Sequence, residues 1–343
     1  MLGHEVGVGA DDVGVGAASA ALGRWIAGGE GRGLLVAALC GQEHVCARCA
    51  LCLAGVRERA CYVLPEPELE VVLRECIEGL ALQRPLVAAA AVAPEDGCAP
   101  ACAACLGILP GATAALAESF AAKVRELGYA PESIELFMVS LSVPASVIIR
   151  QHLYSAHVRG QLAASELPKG WKPLPVKEAF QLAIAGSLSR ALGGARQDQV
   201  SAGDGRGRLR VEGEYRHEES TDMREVLLGK GNFRKTQRGK AQHGERRGKM
   251  EDIENINAVL AELSKISSQT LFAKFPFPPP RVSTAPELTM RIERESVFVG
   301  GSYCKFSRQV SQSPWNSAHG TIEDSVQTLI LNELAPLFQV PEP

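Results

Sequence analysis

The stretch V-C-A-R-C-A-L-C, residues 45–52, sets Cys46, Cys49 and Cys52 three positions apart. A C-x-x-C turn brings two sulfurs to one tetrahedral ion, and a second such turn fills the shell. The matching half must lie elsewhere in the chain. Cys102-Ala103-Ala104-Cys105 has the same spacing. The separation is longer than in common zinc fingers, but loop-closure entropy grows slowly with length. Cys46, Cys49, Cys102 and Cys105 are therefore candidate ligands of a structural four-thiolate zinc site, with Cys52 and Cys98 as competitors.

Other readings of these thiols stay open at this level. An iron–sulfur run continuing the triplet needs a fourth cysteine at position 56, which is Val56. A redox C-x-x-C needs a thioredoxin-like strand-to-helix context, and none is evident. The cysteines can also be small buried side chains, and Cys76 is read that way. A shell closed by four thiolates leaves no open position for activating water.

Working outward, 343 residues suffice for two domains and a sizeable core. A net charge of −3 excludes a wholly basic nucleic-acid binder but leaves room for a local basic patch. Ten cysteines in this length are too few for a small secreted disulfide scaffold. The start lacks a basic segment followed by an apolar one, so no secretory signal is read. No apolar run approaches membrane-spanning length. A reducing compartment, nuclear and/or cytoplasmic, is expected.

Residues 1–36 are rich in Gly, Ala and Val and read as a disordered leader. Their Gly14-x-Gly16 lacks the third glycine of a dinucleotide loop, because Ser19 stands there. Residues 37–109 form a cysteine-rich module. Within it, Pro65-Glu66-Pro67 starts a helix over Glu68–Leu82 with Leu69, Val72, Leu73, Ile77 and Leu80 on one face. Residues 110–340 read as an α+β domain. Helices are expected at Ala112–Leu127, Val147–Val158, Val176–Leu192, Glu254–Ser267 and Ile322–Phe338. Strands are expected at Ser133–Val143 and Leu209–Tyr215, with a hairpin of Leu288–Ile292 and Val297–Tyr303. Residues 224–250 form a basic insertion with Lys230, Arg234, Lys235, Arg238, Lys240, Arg246, Arg247 and Lys249. It is either an RNA-backbone clamp that orders on binding or a solvated loop. This order of elements suits a helix layer on a sheet.

Residues 297–315 interleave Tyr303, Phe306 and Trp315 with Lys305 and Arg308. Aromatics beside cations are the components of single-stranded RNA binding. The same residues also suit a core with solvated edge charges. If a strand runs through Tyr303, alternation puts Tyr303 and Lys305 on one face.

These blocks resemble one family. Phe275-Pro276-Phe277-Pro278-Pro279, then Val297–Arg308, then Gln312–Trp315, resemble the archaeal and eukaryotic tRNA pseudouridine synthases of the tenth Pus class. Cys46-Ala47-Arg48-Cys49 and Cys102-Ala103-Ala104-Cys105-Leu106-Gly107-Ile108-Leu109 match that family's cysteine pairs, in the same order. The resemblance covers roughly residues 40–340. It implies structural zinc on Cys46, Cys49, Cys102 and Cys105, and no organic cofactor. It also implies a THUMP-type α+β RNA-binding domain contacting the T-arm of tRNA, with Tyr303, Lys305, Arg308 and Trp315 as RNA-binding residues.

Two departures stand out. Ser302 occupies a position usually basic in the family. The motif G-R-E-D-x-D-V-R, which carries the family's catalytic aspartate, does not occur in these residues, so no catalytic residue is assigned. The expectation is the amino-terminal, tRNA-binding part of such a synthase, monomeric, off the membrane and inactive alone. The alternative is a non-catalytic zinc-stabilised adaptor for RNA or protein.

Overall fold

The structure, a computed structural model, describes residues 14–42, 44–81, 102–131, 134–197, 209–218, 222–229, 256–294, 301–307, 309–313, 315–316, 320–321 and 325–338. Its centre is a four-stranded sheet. β1 (Leu136–Ser142) runs parallel to the two-residue β2 (Arg196–Gln197) on one side and to β3 (Leu209–Arg216) on the other. β4 (Glu287–Arg294) pairs antiparallel with β3, giving the order β2-β1-β3-β4.

Strand alternation makes the sheet one-sided. Phe137, Val139, Leu141, Leu209, Val211 and Tyr215 are buried, while Ser140 and Ser142 point to solvent. The buried face is covered by α5 (Ala114–Glu126) and α7 (Val176–Ala191), which contribute Phe120, Val124, Phe180 and Ile184 to the same core. Thr113 caps α5, its hydroxyl accepting from the Leu116 amide at 3.4 Å.

On the open face, β3 and β4 set opposite charges across from each other: Arg210 against Glu293, Glu212 against Arg291, Arg216 against Glu287. The sheet surface is thereby charge-balanced.

α6 (Ala145–Gln161) separates this core from a second one. There Ile149, Leu153 and Ala156 meet Leu227 of α8 (Asp222–Leu228), Val259 and Leu263 of α9 (residues 256–263), and Leu271 of α10 (Ser268–Lys274). A small β5–β6 pair (Trp315–Asn316 with Gly320–Thr321) precedes α11 (Val326–Phe338).

Three expectations are corrected. The leader is structured where it is described: α1 (Val15–Ala27) and α2 (Arg32–Cys40) are helices that bury Ala18, Leu22, Leu35, Val36 and Leu39 in the main core. In α1 the small Ala18 and Ala21 face the core beside Leu22, so that helix shows no long apolar stripe and is held by tertiary packing. Residues 1–13 lie outside the described residues. The cysteine-rich stretch is not a separate unit, because its apolar residues and those of the sheet share one continuous core.

The hairpin is also different. Leu288–Ile292 lies in β4, whose partner is the distant β3. Residues 297–300 fall outside the described residues, and residues 301–307 carry no strand, so alternation does not set the direction of Tyr303 and Lys305. The basic residues from Lys230 to Lys249 and Cys98 also lie outside the described residues. Among the described residues, no helix is long and apolar enough to cross a membrane.

Candidate metal centre and nucleic-acid interface

Cys46 is the N-cap of α3 (Ala47–Ala54), which puts Cys49 one turn along the same helix face. Gly55 ends the helix in the left-handed region at φ 85, and the carbonyl of Lys172 would lie 2.5 Å from any side chain there. Cys102 immediately precedes, and Cys105 lies in, a turn spanning residues 103–111. That turn is tied to the start of α3 by the Ala103 amide, which donates to the His44 carbonyl at 2.8 Å.

The sulfurs of Cys46, Cys49, Cys102 and Cys105 all lie within 4.8 Å of one another, and those of Cys46 and Cys105 are 3.9 Å apart. A tetrahedral ion with metal–sulfur bonds of about 2.3 Å needs sulfurs about 3.8 Å apart. A disulfide needs about 2 Å, and these cysteines are free thiols. The donor set and its dimensions therefore fit a metal ion. Cys52 stands apart: its buried thiol donates to the Leu174 carbonyl at 2.8 Å and accepts from the Gln151 amide at 3.1 Å.

Electrostatics sort the four. Burial pushes the Cys46 and Cys49 thiols well above their ordinary range, and the hydrogen bonds they give to Cys102 and Cys105 add to that. Burial acts on Cys102 too. There it is outweighed by hydrogen bonds received from the thiols of Cys105, Cys46 and Cys49 and from the Cys46 amide, so Cys102 is held well below the ordinary range. The cluster thus favours the ionised form at Cys102 and the protonated form at Cys46 and Cys49. A metal replaces those shared protons.

Arg48, between the two cysteines of the first pair, is only 3 % exposed. Its guanidinium donates to the carbonyls of Leu109 (2.6 Å), Ala112 (3.2 Å) and Leu64 (2.7 Å) and stands 3.8 Å from the Glu66 carboxylate. Burial lowers its pKa, while Glu66, Cys46 and Cys105 oppose that shift. This cation offsets part of the negative charge of a thiolate shell and binds both cysteine turns to the start of α4 (Glu66–Ala81). Arg150 of α6 serves the second turn: it donates to the carbonyls of Ala103 (2.8 Å) and Pro280 (2.9 Å). Neither arginine was marked by spacing alone. The signal for Arg48 was a cation inside a C-x-R-C run on a helix that is otherwise apolar.

The second candidate region is at the surface. Tyr303 is 51 % exposed and Phe306 97 %, and Lys305 between them is exposed. The Tyr303 hydroxyl donates to Gln312 at 2.7 Å. These rings are not core residues of the described structure. Arg308 lies outside the described residues, and Trp315 lies in β5. Phe306, more exposed than Tyr303, is an addition to the predicted set.

Fold and site together define an α+β protein with a four-thiol centre built into its core and an aromatic, cationic surface segment. A family model for the N-terminal part of eukaryotic Pus10 matches residues 102–290, more than half of the chain, and a model for the C-terminal part of Pus10 matches residues 298–342. The chain belongs to the Pus10 family. A tRNA pseudouridine synthase Pus10 from Xenopus laevis is 28 % identical over 249 residues, covering 69 % of this chain and 43 % of the relative. The Mus musculus protein of the same name is 26 % identical over 244 residues, covering 69 % and 42 %. The Homo sapiens one is 35 % identical over 85 residues, covering 24 % and 16 %. The chain thus spans less than half the length of the curated relatives it matches.

Proposed function

We propose that this chain is the tRNA-holding part of a tRNA pseudouridine synthase, presenting the T-arm for uridine-to-pseudouridine isomerisation, the pseudouridine(55) reaction. The observation that carries the reading is the match of both Pus10 family models, in order, along one chain. The relatives, tRNA pseudouridine synthases by name, supply the substrate class. The surface chemistry agrees: Tyr303 and Phe306 offer open ring faces for unstacked bases, and Lys305 offers a phosphate contact. In this reading the sheet and its helices are the THUMP-type RNA-binding part.

The metal is zinc and its role is structural. Cys46, Cys49, Cys102 and Cys105 would hold it, and when bound it supplies a cross-link between two distant turns with no open position for chemistry. The protein's own residues position the RNA. A thiolate site of this kind suits a reducing compartment, nuclear or cytoplasmic.

The test is binding of an intact tRNA transcript by the 343-residue chain, followed by fluorescence anisotropy. Micromolar or tighter binding that weakens in Lys305→Ala and in the Tyr303→Ala/Phe306→Ala double variant supports the reading. Binding indifferent to all three positions removes this segment from the interface, and no binding at all removes the function.

A further inference from the structure

A second surface carries the same kinds of group far from residues 301–307 in sequence. At the end of α6, the Arg159 guanidinium lies over the Trp171 ring, 5.1 Å from its centroid. The indole is fixed from below, since its Nε1 donates to the Leu53 carbonyl at 2.9 Å. Arg159 is exposed, as are Lys169 and Lys172, which flank Trp171 in the chain. The nearby carboxylate of Glu166 is turned back to accept from the Ala163 amide at 2.9 Å.

Beside Arg159 opens a hollow of about 400 Å³, lined by His157, Gln161, Ser268 and Phe272 as well. Its aromatic wall is braced. His157 stacks on Phe277 with centroids 3.8 Å apart, and Phe272 meets both rings edge-on. Gly160 sits at the opening, and a side chain added there would meet nothing within 4 Å.

We propose that this hollow, with Arg159 at its rim, is a second RNA contact, taking one unstacked nucleotide of a single-stranded segment. The base enters against His157 and Phe272. Gln161 and Ser268 line the hollow for its polar edge, and Arg159 takes a flanking phosphate. Aromatic walls with amide and hydroxyl groups suit a base, and a guanidinium beside them suits a phosphodiester. The open face of the sheet, by contrast, pairs its charges internally. The proposal rests on the RNA-binding reading above.

The test titrates the full chain with a labelled unstructured RNA oligonucleotide and with a perfect RNA duplex, for the native protein and for Gly160→Trp, Phe272→Ala and Arg159→Ala. Thermal melts of each variant identify any loss of fold. Because position 160 faces open space, Gly160→Trp closes the hollow without invading the core. It is expected to weaken the oligonucleotide about tenfold and leave the duplex unchanged. Arg159→Ala is expected to flatten the slope of log affinity against log salt by about 0.7.

If the native chain binds RNA and responds to Lys305→Ala, but Gly160→Trp and Arg159→Ala bind like the native protein, this proposal fails while the tRNA reading stands. If the native chain binds no RNA, both fail. If the variants keep RNA binding but lose binding of a labelled oligoglutamate probe, the surface is a site for acidic peptide and the proposal is overturned.

Discussion

The backbone amide of Cys46 donates to the sulfur of Cys102 at 3.3 Å, across 56 positions of sequence. That amide opens α3, where the helix dipole favours negative charge. The second cysteine pair is therefore docked on the positive end of the helix that carries the first pair. The amide adds to the hydrogen bonds from the thiols of Cys105, Cys46 and Cys49 that hold Cys102 below the ordinary thiol range, while burial first of all raises Cys46 and Cys49.

Zinc content is the first consequence. Purified chain is expected to carry about one zinc per molecule, with four sulfurs at about 2.3 Å by X-ray absorption. Cys102→Ser should lower both zinc content and melting temperature, whereas Cys52→Ser should leave zinc content unchanged, because Cys52 bonds elsewhere. Folded protein free of metal under reducing conditions contradicts the site.

Proton release follows from the raised thiols. Cys46 and Cys49 have pKa values above the ordinary thiol range, so both are protonated at neutral pH without metal. Binding must expel those protons, so affinity rises with pH and falls as acid competes for the sulfurs. Calorimetry in buffers of different ionisation enthalpy is expected to show more than one proton released near pH 7. Proton-free binding would mean that the two thiols are not ligands.

Arg48→Met removes a buried cation and strands the carbonyls of Leu109, Ala112 and Leu64. Loss of one partner of such a buried pair costs about 3–5 kcal/mol. Arg48→Lys should recover only part of that, since an ammonium cannot span the three carbonyls. Chemical denaturation measures both. A variant as stable as the native chain would deny Arg48 its bracing role.

Gly31 tests whether the amino-terminal helices belong to the fold. It sits at φ 78, and the Glu166 carbonyl oxygen would be 2.1 Å from an added Cβ. The left-handed conformation alone costs about 1–2 kcal/mol in a residue with a side chain, and the contact adds to it. Gly31→Ala is expected to lower the melting temperature and expose α1 and α2 to protease. Neutral behaviour would show that these helices are not held against the 163–167 loop.

Tyr303→Ala and Phe306→Ala separate binding from folding. Both rings are largely exposed, so each change should move stability by less than about 0.5 kcal/mol. RNA affinity is expected to fall by about 1–3 kcal/mol per stacked base. A large loss of stability would make them packing residues.

Much of this was legible in the sequence because it is local. Leu209–Tyr215 alternates, Pro65 marks a helix start, and the two C-x-x-C pairs name their own partners by spacing. What was not legible is what depends on tertiary packing. α1 is rich in glycine and alanine and shows no long apolar stripe, and both α1 and α2 are held by their neighbours in the main core. β4 looked like half of a hairpin because its partner β3 lies far away in sequence. The roles of Arg48 and Arg150 depend on carbonyls from several loops, and no periodicity reports those.

The most direct test of the central claim compares two labelled RNA hairpins, the T-arm and the anticodon arm of one tRNA, titrated with the zinc-loaded chain at two salt concentrations. Tighter binding of the T-arm hairpin is expected at both salts, with the preference reduced in Lys305→Ala. Equal affinity for the two hairpins, or binding of neither, would contradict it.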